Sequence, residues 1–492
     1  MAEQPVIVIG SGPCGAAAAA RLTRRGVPVL LLDAGLRAPS GLIVRAAGHT
    51  IVRRKGWAEY SEGRQDPAST PDVEWYSSLS LGGLSNYWTG AVPRFAPDDF
   101  TEGGRIDERY VWPLTYDELE PFYREMEDVL IVTAGAGAIR NVPSNVRRYT
   151  ERLPAAWEGI AGQANARGHG VGAVPMAKGR PWMIARRGTE FGSYHCVVDP
   201  LRSSSTFQLV TGAQVIRLVW SPRTGRVEEV EYVDRHRGER AVARGRAVVL
   251  AAGAIDSTAI LLRSRSADFP RGLGNERGLV GRYLHDHPRE WWVAQTKDPL
   301  PSLAHPVYFA RAPYEASDPL MATSLTLGQT PNIVDRLKSF YGGRTSAFGV
   351  QVFGTMVPTP DVGVHLSEPA DDGAAPVITL RYDGPTVANL LGARQRLKDT
   401  LRDAGHHVEI PGPFHPLTPG SSVHFGGSVR MHASPEFGVV DGWNRIHDAP
   451  DVVVCDTSCF TTAAEKNPVV TAMAIATRAA DHLAGDLETR PA

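Results

Sequence analysis

Apolar residues in this chain fall into two kinds of run. Val6–Ile9, Val27–Leu32, Ala247–Ala251 and Val452–Cys455 are short and unbroken, the mark of strands buried on both faces of a parallel sheet. Phe207–Val210, Val215–Trp220 and Val227–Val233, with a turn at Pro222–Gly225, read as hairpin strands leading back to the 247–251 run. Ala347–Phe353, Val362–Leu366 and Val377–Tyr382 alternate apolar with polar, which predicts an antiparallel sheet. Helical patterns cover Ala16–Arg24, the segment after Thr115, Thr386–Ala404 and the segment after Asn467. Thr115 with Glu118 three residues on is a capping box. The last helix is apolar on nearly every face through Ala476, so its N-terminus is expected to be buried, with Asn467 as N-cap and Pro468 in the first helical position. Residues 135–205 are rich in Gly, Pro and Arg and carry no assignable pattern.

Between the first apolar run and the first helix lies Gly10-x-Gly12-x-x-Gly15, with Pro13 and Cys14 inside it. Gly10 permits a tight strand-to-helix turn, Gly12 lets a pyrophosphate approach bare backbone, and Gly15 lets helix and strand pack closely. The helix N-terminus offers unpaired N–H groups to phosphate. Asp33 ends the second run 18 residues beyond Gly15, where an acid can accept hydrogen bonds from an adenosine ribose. Glycines flanked by two buried strands and a correctly spaced acid point to a bound dinucleotide rather than a bare turn.

Three further stretches carry candidate chemistry. Ser80–Gly90, with Gly82-Gly83, Ser85, Asn86, Tyr87 and Trp88, is a small-residue loop suited to close approach of a flat or phosphorylated group. Ala252-Gly253 follows the returning strand in a tight turn. Asp456 ends the last strand, and a loop from Thr457 to Lys466 leads into the final helix. His285 and His287 alternate as metal ligands can, but no third ligand accompanies them, so a structural role is expected and no metal site is assigned.

Composition narrows the class. Lys+Arg 52 against Asp+Glu 53 gives a net charge of −1, which suggests no nucleic acid or other polyanion partner. Four cysteines make no disulfide framework, and Cys455 with Cys459 read as small buried residues rather than a redox pair. No apolar run reaches membrane-span length and no leader pattern opens the chain, so a cytoplasmic protein is expected. Gly-x-Ser-x-Gly and His-Glu-x-x-His are both absent, which disfavours serine hydrolase and metalloprotease chemistry. No second glycine fingerprint follows a strand, as a pyridine-nucleotide reductase would need.

Taken in order, the motifs resemble the glucose–methanol–choline oxidoreductases, FAD-dependent alcohol oxidases and dehydrogenases. GSGPCG with Asp33, LGGLSNYW, AVVLAAGAIDST, VGRYLHDHP, HFGGS from His424, and NPVVT from Asn467 carry the resemblance across most of the chain. The family usually has Glu where Asp33 stands. GGLSNYW and WPLTYDELEPFY are most similar to the pyranose-oxidase branch and to enzymes oxidising aminoglycoside intermediates and other glycosides. The resemblance implies an α/β fold: a Rossmann-like FAD-binding domain (1–100, 206–289 and 421–492) with an inserted α+β substrate domain (101–205 and 290–420) on an antiparallel sheet. It implies FAD held by Gly10, Gly12, Pro13, Cys14, Gly15, Asp33, Gly82, Gly83, Ser85, Asn86, Tyr87, Trp88, Val215, Ala252, Gly253, Asp456, Pro468 and Val469. Pyranose oxidases bond the flavin covalently through a histidine where this chain has Tyr87, so non-covalent FAD is expected.

By the same resemblance, His424 is the active-site histidine and Asn467 its partner. A neutral imidazole can take the hydroxyl proton as hydride leaves the carbinol carbon. Asn467 can donate to the developing alkoxide, although its side chain can instead cap the helix. Asp456 is read as a cofactor contact with loop fixing as the competing role. The expected substrate is a sugar-like alcohol, the expected acceptor oxygen or a quinone. A non-sugar alcohol, and a flavin kept only as a structural element, stand as alternatives. An aminoglycoside would call for carboxylates at the pocket mouth, with Glu315, Asp318 and Asp335 as candidates.

Overall fold

The short apolar runs become a six-stranded sheet, in the order Arg445–Ile446, Ala449–Val454, Ala247–Leu250, Val6–Ile9, Val29–Asp33 and Phe207–Thr211. The computed structural model describes residues 4–38, 60–62, 66–137, 139–143, 146–178, 191–312, 319–328, 343–367, 374–415 and 417–489. All pairings in this sheet are parallel except that of the two-residue edge strand. Ile9 lies beside Leu250 and Leu32, and Leu250 beside Val454, so three strands distant in sequence end together. Burial on both faces explains the unbroken Val, Ile and Leu. Helix Pro13–Arg24 and the C-terminal helix Val469–Thr489 pack against each other over the sheet.

A three-stranded antiparallel sheet, Ala213–Ser221, Arg226–Asp234 and Glu239–Arg244, supplies the predicted hairpins and leads into Ala247–Leu250. The larger antiparallel sheet runs Val408–Glu409, Arg289–Pro301, Arg344–Gly354, Thr323–Gly328, Val307–Ala312, Val171–Ala173, with Pro413–His415 also pairing Arg289–Pro301. Helix Gly384–Asp403, capped by Asp383, covers it, and Trp157, Trp292, Phe348 and Leu397 are buried between. Val171–Ala173 and helix Ala155–Ala166 come from the stretch that showed no sequence pattern.

Two expectations need correction. The alternating segments at 362–366 and 377–382 do not join the large sheet. Gly363–Leu366 and Pro376–Thr379 form a separate ribbon, whose Val364 and Ile378 pack with Ala254 and Ile255 of helix Ala254–Arg263. The approach is close: a Cβ on Gly281 would lie 2.0 Å from the Val364 carbonyl oxygen. The last helix starts at Val469, one residue later than expected, with the Pro468 carbonyl accepting from Ala472 N–H. Pro468 therefore takes the cap position and Asn467 precedes it. The Thr115–Glu118 capping box forms as read.

What fixes the loop before that helix is a buried charge cluster. Lys466 Nζ lies 2.7 Å from Asp99 and 2.9 Å from Glu465, and all three side chains are shut from solvent. Burial pulls the ammonium pKa down, but the two carboxylates outweigh it and hold it above the ordinary lysine value. Phe460 anchors the same loop edge-on between Phe95 and Trp112, at centroid distances of 5.6 and 5.4 Å. Replacing Lys466 by Met leaves two buried carboxylates without their shared cation. That variant is expected to lose about 3–5 kcal/mol of stability in a urea melt, and a loss under 1 kcal/mol would contradict the account.

Candidate active site

The glycine turn at the sheet's C-terminal edge behaves as three different constraints. Gly10 sits at φ +98°, and a Cβ there would lie 2.5 Å from the Ala251 carbonyl oxygen. A Cβ on Gly15 would lie 2.0 Å from the Gly10 carbonyl oxygen. At Gly12 and at Gly253 a Cβ meets nothing within 4 Å, so bare backbone faces open space at both turns. Helix Pro13–Arg24 starts beside Gly12 with no side-chain cap on its first amides. This is the cradle a pyrophosphate needs.

Asp33 is buried and accepts the Ser11 and Gly35 amides at 2.7 Å each. Burial raises its carboxyl pKa, opposed by those hydrogen bonds. The 80–90 loop lies over the same turn: Gly82 N–H donates to Ser11 Oγ at 2.8 Å, and Gly83 comes against Gly12. Ser85 bonds the Gly82 carbonyl and Ser193, and Asn86 bonds the Leu81 and Gly83 carbonyls, so both brace the loop. Tyr87 is buried with its hydroxyl 3.2 Å from Ser80, and Trp88 Nε1 donates to the Phe191 carbonyl at 2.7 Å. Val215 is buried on the strand that packs beside Val29–Asp33.

Asp456 joins two turns. One of its oxygens accepts from Gly253 N–H at 3.0 Å and Ser257 Oγ at 2.6 Å, the other from Ser458 N–H at 2.9 Å. Four donors, counting the Ser458 hydroxyl, thus converge on it from the Gly253 turn, the helix after it and the Thr457–Cys459 turn, and fixing these segments together is the role its geometry displays. Ala252 N–H is bonded to Ser257 Oγ at 3.1 Å. Cys14 is half-buried, with burial and Asp456 pushing its thiol pKa up. Cys455 and Cys459 are buried free thiols, also pushed up by burial, so neither is a ready thiolate.

His424 and Asn467, 43 residues apart, come together: Asn467 Nδ2 lies 3.2 Å from His424 Nε2. Asn467 is thus turned to the imidazole rather than capping the helix. Pro468 is buried, and half-buried Val469 packs on the core. On its other side, His424 Nδ1 lies 2.9 Å from His287 Nδ1, with the two rings edge to face at 4.9 Å. Phe353, from the large antiparallel sheet, stands 5.3 Å from the His424 ring and 6.0 Å from His287. Burial, His287 and Arg289 hold the His424 pKa well below the usual histidine value. Burial holds that of His287 down to about 4, against a hydrogen bond to the Ala464 backbone.

The segment 285–287 was read as structural, and its part in this site was missed. Asp286 is buried and accepts His424 N–H at 2.8 Å as well as the Ser422 hydroxyl. Burial pushes its carboxyl pKa up to about 6. Val423, between those two partners, is held at φ +60°. His285 packs beneath Gly426 and Gly427, its pKa pushed down to about 3 by burial. The sequence signals were two histidines around an aspartate and their place in the VGRYLHDHP motif, neither of which says what the rings face. Among the described residues no group of three or more His, Cys, Asp or Glu could hold a metal ion. Glu315, Asp318 and Asp335 lie outside the described residues. No described helix is long and apolar enough to cross a membrane.

Residues 107–289 and 358–476 match the GMC oxidoreductase family, and residues 8–49 the NAD(P)-binding Rossmann-like domain. The chain is similar to paromamine 6'-oxidase of Streptomyces fradiae, with 29% identity covering 99% of this chain and 92% of that one. It is also similar to 2-methyl-1,2-propanediol dehydrogenase of Mycolicibacterium austroafricanum, with 27% identity covering 98% and 95%. Its fold is that of pyridoxine 4-oxidase from Mesorbium loti, with a TM-score of 0.69 at 19% identity over the whole of both chains.

The glycine geometry separates two variants. Gly12→Val fills open space, so the protein is expected to fold normally and to purify with less than about a tenth of the bound flavin, measured from the ratio of visible to ultraviolet absorbance. Gly15→Val meets backbone and is expected to unfold. Full flavin in Gly12→Val would contradict the cradle.

Proposed function

The chain belongs to the GMC oxidoreductases, flavoenzymes acting on CH–OH donors, and from that premise we propose that it oxidises a hydroxyl of a sugar, aminosugar or glycoside to the carbonyl, with His424 taking the hydroxyl proton. The observation that carries this is the meeting of His424 and Asn467 within 3.2 Å beside a buried apolar wall. FAD, held non-covalently at the Gly12 and Gly253 turns, would supply the two-electron acceptance by which hydride leaves the carbinol carbon. Tyr87 supports the absence of a covalent link, since its buried hydroxyl is bonded to Ser80 and no imidazole stands at that position.

In this reading Gly12, Pro13, Gly83 and Gly253 line the phosphate path, and Asp33 keeps a lone pair on each oxygen for ribose hydroxyls. A neutral His424 is a competent base because its depressed pKa keeps it unprotonated at neutral pH. Asn467 donates its amide hydrogen to whichever atom bears negative charge, the substrate oxygen included. The substrate class rests on the glycoside-type relatives; the named diol dehydrogenase keeps a non-sugar alcohol as the second reading. Oxygen or a quinone serves as electron acceptor.

His424→Ala is expected to keep its yellow colour while anaerobic flavin reduction by sugars, aminosugars and glycosides slows by about 10²–10⁴-fold. Reduction at an unchanged rate would remove His424 from the role of base. Acid protonates the base, so the reduction rate of the unaltered enzyme falls as pH drops through the depressed pKa. That acid limb is expected below the ordinary histidine value of about 6.5, and a limb at or above it would contradict a buried neutral imidazole.

A further inference from the structure

Two imidazole nitrogens 2.9 Å apart can share one proton, neither two nor none. With two, the N–H groups collide; with none, two lone pairs face each other. Which ring owns the proton is settled at the far side of His424. The Asn467 amide Nδ2, which can only donate, lies 3.2 Å from His424 Nε2. That nitrogen is therefore bare, the hydrogen of a neutral His424 sits on Nδ1, and the His287 Nδ1 facing it is bare in turn.

We infer that His287 is a positioning residue for the reaction: its bare Nδ1 accepts the Nδ1–H of His424 and so leaves His424 Nε2 unprotonated, pointed at Asn467 and the substrate hydroxyl. The inference rests on reading His424 as the base. Without an acceptor on the Nδ1 side, His424 is free to carry its hydrogen on Nε2, where it would meet the substrate as a donor and not as a base. When Nε2 takes the hydroxyl proton, the O–H bond breaks and an N–H bond forms on His424. The Nδ1–H···Nδ1 contact then becomes charge-assisted and strengthens.

The surroundings keep His287 neutral. Lys466 and Arg289 are the cations near the pair, with Glu465 as the opposing anion and His285 the adjacent imidazole. Asp286 holds the main chain of the loop from the same strand entry. Consecutive residues thus grip His424 twice: Asp286 by its backbone N–H and His287 by its ring. That double hold also accounts for the left-handed Val423 immediately before His424.

The test uses holoenzyme with ¹⁵N-labelled histidine, comparing His287→Leu, which removes the acceptor, with His287→Asn, whose side-chain oxygen stands where Nδ1 stood. In the unaltered enzyme, His424 is expected to show a protonated Nδ1 and a bare Nε2. His287→Leu should populate the opposite tautomer and slow flavin reduction about 100-fold or more, at unchanged flavin content. His287→Asn should restore the tautomer and most of the rate. A His287→Leu protein with the original tautomer and rate overturns the inference, as does a His424 protonated on Nε2 in the unaltered enzyme. If the tautomers follow the prediction but reduction never depends on His424, the base assignment has failed and not the hydrogen-bond order.

Discussion

The in-register ends of three parallel strands organise everything else in this molecule. Val6–Ile9, Ala247–Leu250 and Ala449–Val454 are held side by side by backbone hydrogen bonds, so the turns after them emerge at one edge. Gly10, Ala251 and Asp456, hundreds of residues apart, become neighbours for that reason alone. The steric consequences are severe: Gly10 and Gly15 tolerate no side chain, while Gly12 and Gly253 look onto open space. A nucleotide cradle is what this pattern of forbidden and vacant Cβ positions amounts to.

Asp456 is the second link. It ties the Gly253 turn to the Thr457–Cys459 turn by buried hydrogen bonds, and so transmits the sheet's geometry into the loop that carries Lys466 and Asn467. The Lys466–Asp99–Glu465 cluster and the Phe460 aromatic cluster then leave that loop little freedom. From the opposite side, Asp286 and His287 fix His424, and Phe353 brings the antiparallel sheet against both rings. The imidazole is thus positioned by elements from three regions of the chain, which is the preorganisation that the proposed proton transfer demands.

Much of this was legible in the order of residues. Buried parallel strands announce themselves as unbroken Val, Ile and Leu, and the spacing of Gly10, Gly12, Gly15 and Asp33 follows from the turn they must make. The alternating strands were visible as strands, but which sheet they joined was not. Gly363–Leu366 leaves the large sheet because Gly281 lets its backbone come within contact of the 254–263 helix region, a long-range fact no local pattern records. Val171–Ala173 was hidden because a three-residue strand has no period to read. His287 was read only as a structural residue for a related reason. A histidine's role depends on what its nitrogens face, and His424, the partner of its Nδ1, lies 137 residues along the chain.

The most direct test of the account is a crystal structure of the flavin-loaded protein with a non-reactive substrate analogue. The account predicts the analogue's hydroxyl oxygen about 2.6–3.2 Å from His424 Nε2, within reach of the Asn467 amide, and its carbinol carbon against the flavin. An analogue bound with its hydroxyl beyond reach of both side chains, or a flavin seated away from the Gly12 turn, would contradict it.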